Sequence, residues 1–212
     1  GYNVQLLNEV TGEPCAANEK GMLVIEGPLP PGCIQTIWGD DERFVKTYWS
    51  LFSRQVYATF DWGIRDADGY YFILGRTDDV INVAGHRLGT REIEESISSY
   101  PNVAEVAVVG VKDALKGQVA VAFVIPKQSD SLDDRDVAHS EKEAIMALVN
   151  SQIGNFGRPA NVWFVSQLPK TRSGKMLRRT IQAICEGRDP GDLTTLDDPA
   201  ALQQIRQAIE AG

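Results

Sequence analysis

From Gly75 to Glu95 the chain reads Gly-Arg-Thr-Asp-Asp-Val-Ile-Asn-Val-Ala-Gly-His-Arg-Leu-Gly-Thr-Arg-Glu-Ile-Glu-Glu. Arginines, an aspartate pair, glycines and a histidine interrupt a short apolar ladder, which then opens a helix. Polar residues that dense between strand-like pieces serve backbone bends and ligands more often than a core. The stretch also divides the chain. Upstream the pattern is short strands and turns; downstream strands and helices alternate. No single uniform layer accommodates both textures. The expectation is an α+β protein: a β-rich piece over residues 1–77, then a small mixed α/β domain over 78–212 in which helices cover a sheet.

In the first part Val4–Leu7, Gly21–Ile25, Val56–Phe60 and Tyr70–Leu74 read as strands. Asp66-Ala67-Asp68-Gly69 carries the Asp-Gly pair of a tight turn. Pro28, Pro30, Pro31 and Gly32 mark a rigid bend, because proline fixes φ and cannot donate to a sheet ladder. A helix is expected near Glu42–Leu51. In the second part Val80–Val83, Val103–Val111, Val119–Ile125 and Val162–Val165 are the strand candidates. Thr90 is placed to cap a helix over Arg91–Ser99 whose Ile93, Ile97 and Tyr100 share one face. A polar loop over 127–134 leads into a helix with Ile145, Leu148, Val149, Gln152 and Ile153 at helical spacing. Leu177–Cys185 and Pro199–Ile209 read as the last two helices.

The net charge of -8 argues against a nucleic-acid partner, which would call for a basic surplus. Residues 1–77 carry 10 acidic and 6 basic side chains, so the acidic surplus is shared and no basic domain hides within it. Three cysteines, Cys15, Cys33 and Cys185, are an odd number without metal-ligand spacing, which points to structural thiols in a reducing, cytoplasmic compartment. No apolar run approaches the roughly 20 residues that a membrane helix needs. Gly1–Leu7 reads like the middle of a strand pair, as expected of a piece of a longer protein.

A second dense stretch, Pro169-Lys170-Thr171-Arg172-Ser173-Gly174-Lys175-Met176-Leu177-Arg178-Arg179, puts five basic residues in eleven. It is not a phosphate-binding Walker loop, since no glycine stands five residues before Gly174 and Met176 follows Lys175. By composition it is either a solvated loop or a concentrated anion site. Basic residues at a helix N-terminus oppose the macrodipole, so Lys175, Arg178 and Arg179 need a reason other than helix stability. Asp61 ends a strand where a carboxylate can take two ribose hydroxyls or cap a turn. Arg76 stands beside it or pairs with Asp78 or Asp79. His86, Gly85 and His139 have structural or solvated readings that compete with any ligand role. Ser173 has no histidine near it in sequence, which argues against a nucleophilic triad.

Taken together these pieces resemble one family. Tyr57-Ala58-Thr59-Phe60-Asp61-Trp62-Gly63, Asp66–Tyr71, Gly75–Gly89 with Glu92-Ile93-Glu94, and Pro169–Lys175 occur in the order found in AMP-forming acyl-CoA synthetases, members of the adenylate-forming superfamily. Gly85-His86-Arg87-Leu88-Gly89-Thr90 resembles the short-chain branch of acetyl- and propionyl-CoA synthetases, and the tail Gly187–Leu196 is most similar to bacterial propionyl-CoA synthetases.

The resemblance implies that residues 1–77 are the β-rich end of a large N-terminal domain whose upstream part, with the ATP-phosphate loop and the acyl pocket, is missing. Residues 78–212 would then be the mobile C-terminal domain. It implies the reaction of a small carboxylic acid such as propionate with ATP and CoA, through an acyl-adenylate, and an inactive fragment when the upstream domain is absent. Asp61 would bind the ribose hydroxyls, Arg76 the nucleotide and Arg87 the ATP phosphates. Ala84 and Gly85 would line the pantetheine tunnel, Asp78 would be the hinge, and Lys175 the adenylation lysine. Acetylation of Lys175 by an acetyltransferase, reversed by a deacetylase, is implied too, as is a magnesium ion (Mg2+) on backbone carbonyls of Ser98, Tyr100 and Val103. Phe60 stands where the family usually has glycine. Asn150 stands where an acetyl-CoA synthetase offers CoA an arginine, and Arg158 is the available substitute. Two other readings are another acyl or aryl adenylating ligase, and a stand-alone interaction module acetylated on Lys175.

Overall fold

The computed structural model describes residues 1–128 and 135–211, so part of the polar loop expected over 127–134 lies outside the described residues. The chain divides into two compact units, Gly1–Asp78 and Asp79–Gly212.

The first unit is an antiparallel sheet of four strands in chain order: β1 (Asn3–Leu7), β2 (Lys20–Glu26), β3 (Val56–Arg65) and β4 (Tyr71–Arg76). Alternation places Leu7, Met22, Val24, Val56 and Ala58 on one buried face. A helix, α1 (Asp41–Tyr48), starts where the Asp40 carboxylate accepts the Arg43 N–H at 3.0 Å. The β3–β4 connection is the tight turn read from Asp66–Gly69: Asp66 accepts the Tyr70 N–H at 2.8 Å, and Gly69 has φ +90°. One strand is longer than its apolar pattern. Sequence alternation ends near Phe60, but β3 runs on to Arg65 because a bulge absorbs Thr59 and Phe60, the pairing passing from Val24–Ala58 directly to Leu23–Asp61.

The second unit is built on a mixed sheet in the order β6 (His86–Gly89), β5 (Val80–Val83), β8 (Gly117–Pro126), β7 (Val103–Asp113), with β9 (Asn161–Phe164) added parallel to β8. The helices are α2 (Thr90–Ser98), α3 (Arg135–Gln152), α4 (Arg178–Cys185) and α5 (Ala200–Ala211). Strands β7 and β8 are apolar on both faces, and period-2 alternation sorts their side chains. Val106, Val108, Ala120, Ala122 and Val124 pack with Ile93 and Ile97 of α2 and Ile145 and Val149 of α3. Ala107, Val109, Val121 and Phe123 pack with Ile181 and Ile184 of α4 and Leu202 and Ile205 of α5. Each fully buried aliphatic side chain contributes about 1.5–3 kcal/mol, so this double-faced core fixes the rims on which the polar residues stand.

Thr90 does not cap α2. The N-cap is Gly89, without a side-chain hydrogen bond, and Thr90 is buried inside the first turn. The neighbouring hairpin explains this, because β6 runs directly into the helix and leaves no free turn for a side-chain cap. Among the described residues no helix is long and apolar enough to cross a membrane, and all three cysteines are free thiols.

Candidate functional site

The polar residues singled out in the sequence fall into separate groups on the two units. In the first unit the bulge shapes the Asp61 group. Thr59 anchors it, its hydroxyl donating to the Leu23 carbonyl at 2.8 Å and accepting the Asp61 N–H at 3.1 Å. Phe60 takes a left-handed φ of +61°, which glycine adopts freely and a side chain only at a cost. The β3–β4 register sets Arg76 opposite Asp61. Arg76 Nη1 donates to the Thr59 carbonyl at 3.0 Å and to Asp61 Oδ1 at 3.4 Å, and Nε donates to Asp78 Oδ1 at 3.4 Å. Of the partners raised for Arg76, Asp61 and Asp78 are both realised. The guanidinium also lies 5.8 Å from the Phe60 ring centre. With the Asp61 side chain 38% exposed and held by one long contact, its remaining lone pairs are open to hydroxyl donors.

In the second unit β5 and β6 form a hairpin whose two-residue loop is Ala84-Gly85, both with positive φ, +50° and +89°. That is the geometry of a type I′ turn, whose twist matches the strands. Asn82 Oδ1 accepts the Gly85 N–H at 3.1 Å, and the Lys116 carbonyl accepts the Ala84 N–H at 2.8 Å. A Cβ on Gly85 would meet nothing within 4 Å, so the loop faces open space. Arg87 lies opposite Asn82 on β6 and is half-buried. His86 stacks flat on Phe156, ring centres 4.5 Å apart, a partner not foreseen because Phe156 lies in a distant loop. Close by is a cavity of about 380 Å³ whose walls include Val83, Lys116, His139, Lys142, Phe156 and Arg158. Arg158 is paired with Glu143 at 3.3 Å. Sequence reading left His139 solvated and passed over Lys142 and Lys116; their common signal, basic residues at one end of the sheet, needs the fold to be seen.

Lys175 lies on a hairpin of its own. The Thr171 carbonyl accepts the Gly174 N–H at 2.8 Å, and Thr171 N–H donates to the Lys175 carbonyl at 2.8 Å. Gly174, at φ +83°, supplies the left-handed residue that a three-residue loop of this kind needs. The Lys175 N–H donates to the Thr171 hydroxyl at 3.0 Å. Its side chain is exposed and has no ion-pair partner among the described residues. The other basic residues of the stretch differ. Lys170 pairs with Glu105 at 2.5 Å, and Arg178 forms a fork on Glu94, at 2.8–3.1 Å, with Asp79 at 3.9 Å. Burial works against the Arg178 charge, but the Glu94 and Asp79 carboxylates outweigh it and raise its pKa. For Arg178 the reason other than helix stability is this ion pairing: two carboxylates distant in sequence offset the dipole.

Ser98, Tyr100 and Val103 mark the passage from the end of α2 to the start of β7. Carbonyl oxygens are donors that a hard cation accepts, and the end of a helix carries partial negative charge. The Tyr100 carbonyl already takes the Val103 N–H at 3.1 Å, which leaves it one lone pair for an ion. Among the described residues no group of three or more His, Cys, Asp or Glu side chains is placed to hold a metal ion.

Residues 92–175 match the model of the AMP-binding enzyme C-terminal domain. The chain is also 91% identical over 210 residues to the propionate–CoA ligase of Escherichia coli K12. Residues 92–175 are thus recognised as an AMP-binding enzyme C-terminal domain. That match covers 99% of this chain and 33% of the E. coli ligase, so the chain spans about a third of the length of such relatives. Identity to the acetyl-coenzyme A synthetase of Pyrobaculum aerophilum is lower, 46% over 210 residues, covering 99% of this chain and 30% of that enzyme. Among solved structures, ATP-bound MatB from Rhodopseudomonas palustris superposes with a TM-score of 0.69 at 26% identity, over 87% of this chain and 35% of MatB. The mixed α/β fold with antiparallel sheets is thus that of an adenylate-forming ligase.

Proposed function

We propose that the protein is part of a short-chain AMP-forming ligase that joins propionate to CoA at the expense of ATP. The observation that carries this reading is the 91% identity with the E. coli propionate–CoA ligase, against 46% with an acetyl-coenzyme A synthetase. In the first step a carboxylate oxygen of propionate attacks the α-phosphorus of ATP and pyrophosphate leaves. In the second the CoA sulfur attacks the acyl carbon, its proton is lost, and AMP leaves. The 212-residue chain alone turns nothing over, because the acyl pocket belongs to the part that precedes it in the whole enzyme.

On this reading Asp61 holds the ribose hydroxyls and Arg76 steadies them from the facing strand. Arg87 meets the ATP phosphates. Lys175, exposed and without an ion pair, brings its charge to the oxygens that become more negative as the two anions react. The open Ala84-Gly85 turn admits the thiol arm of CoA, and Arg158 in the neighbouring cavity receives its phosphates in place of the arginine that Asn150 replaces. Asp78, where one compact unit gives way to the next, is the hinge that changes φ/ψ between the two steps. Magnesium on the Ser98, Tyr100 and Val103 carbonyls would supply a fixed positive charge at the end of α2. A lysine that acts through its charge is also a switch, and acetylation of Lys175 removes charge and adenylation together until a deacetylase restores them. The free cysteines favour a cytoplasmic setting.

The test is Lys175→Ala in the whole ligase, with each half-reaction followed by itself. Propionate-dependent pyrophosphate release is expected to fall by about 10²–10³-fold, the size seen when one oriented charge-stabilising donor is lost. Thioester formation from propionyl-adenylate and CoA is expected to survive. Survival of both would make the basic hairpin a surface feature.

A further inference from the structure

We infer that Arg178 is a positioning residue for Lys175, which rests on the adenylation role proposed for that lysine. The sequence puts an arginine at the first position of α4 with no acidic residue in its first turn. A cation at that end of a helix is locally unfavourable, and Asp or Glu is the usual occupant. The fold compensates from far away. Glu94, 84 residues upstream on α2, receives Arg178 Nε at 3.1 Å and Nη2 at 2.8 and 3.0 Å. The same Glu94 Oε1 accepts the Val108 N–H at 2.9 Å. The carboxylate is therefore tied to both α2 and β7, whose neighbouring side chains are fully buried. Asp79 adds a second carboxylate at 3.9 Å.

Lys175 has no such anchor of its own. Only Met176 and Leu177 separate it from Arg178, and the Leu177 N–H donates to the Pro169 carbonyl at 3.0 Å, closing the base of the hairpin. The reach of the Lys175 ammonium is thus set by where that base is clamped, and the rigid end of the clamp is the Arg178 fork. A lysine in place of Arg178 would keep the charge but not the two-pronged geometry.

The test uses Arg178→Lys and Glu94→Gln in the whole ligase and reads the ratio of the two half-reaction rates in one sample. A variant that folds only in part lowers both rates equally and leaves the ratio unchanged. The expected result is adenylation slowed about ten- to a hundredfold relative to thioester formation, since small misplacements of a reacting group cost that much. The KM for ATP should change little, and the double variant should be no worse than the poorer single one. A ratio equal to that of the unaltered enzyme in both variants overturns the inference and leaves the fork a purely structural pair. Lys175→Ala in the same assay separates the two ideas: if it leaves adenylation intact, the reading of Lys175 falls, and this inference with it.

Discussion

Two arginine–carboxylate pairs in this protein use the same chemistry in opposite ways. Arg76 and Asp61 meet through a single 3.4 Å contact, with side chains 47% and 38% exposed. Arg178 and Glu94 meet through a fork at 2.8–3.1 Å, with side chains 27% and 12% exposed. The first pair stands on a bulged strand beside a residue at positive φ; the second is clamped between a helix and β7, the outer strand beside β8 in a double-faced core. A long, wet contact exchanges readily for a ligand's hydroxyls, while a short, dry one holds its geometry whatever binds nearby. Strength of pairing thus separates a pair open to exchange with a ligand from a pair that holds scaffold.

Breaking the dry pair should have the largest effect. Glu94→Ala strands the Arg178 charge with only Asp79 for company and removes the acceptor of the Val108 N–H. Losing one partner of a fully buried pair costs about 3–5 kcal/mol; with these side chains 27% and 12% exposed a smaller loss of stability, about 1.5–3 kcal/mol, is expected in the second unit. Hydrogen exchange of the β7 and β8 amides in the 212-residue chain would read it directly. Protection unchanged within experimental error would mean that the fork is looser in solution than its geometry indicates.

The same contrast decides what could be read from the sequence. The strands and helices of the second unit were legible because their apolar spacing is strong, and Ile93, Ile97 and Tyr100 do share a face in the core. The fork was not, because its partners are 84 residues apart and no local pattern reports a long-range pair. Strand β6 was missed for the opposite reason: His86-Arg87-Leu88-Gly89 has no strand-like composition and is a strand only because the Ala84-Gly85 turn folds it back on β5. The bulge at Thr59 and Phe60 was equally hidden, since phenylalanine gives no local warning of a left-handed backbone. The candidate site residues were identified by motif order; their partners came from the fold.

Phe60 offers a sharper probe of the wet pair's footing. Its ring packs edge-on to Tyr48 with centres 6.0 Å apart, and Arg76 lies over it. Phe60→Ala removes those contacts and keeps a Cβ at φ +61°, whereas Phe60→Gly removes the same contacts and the backbone strain together. The glycine variant should therefore be the more stable of the two by about 1 kcal/mol, as measured by exchange of the β2 and β3 amides. Equal stabilities would mean that the bulge relaxes when the ring is gone.

The smallest effect on folding belongs to the wet pair itself, and its smallness is what makes it informative. Arg76→Ala should change the stability of the first unit by no more than about 1 kcal/mol, the usual range for an exposed ion pair. That change should shrink further in 1 M salt, where charges are screened beyond about 3 Å. The Thr59 carbonyl also loses a donor at 3.0 Å, but water can replace it at an exposed rim. Nucleotide affinity of the whole ligase should fall all the same, because on the proposed reading this arginine serves the ligand more than the fold. A salt-insensitive loss of several kcal/mol would reverse that assignment: Arg76 would then be scaffold like Arg178, and Asp61 would be a carboxylate occupied by its own protein rather than one free to take a ribose.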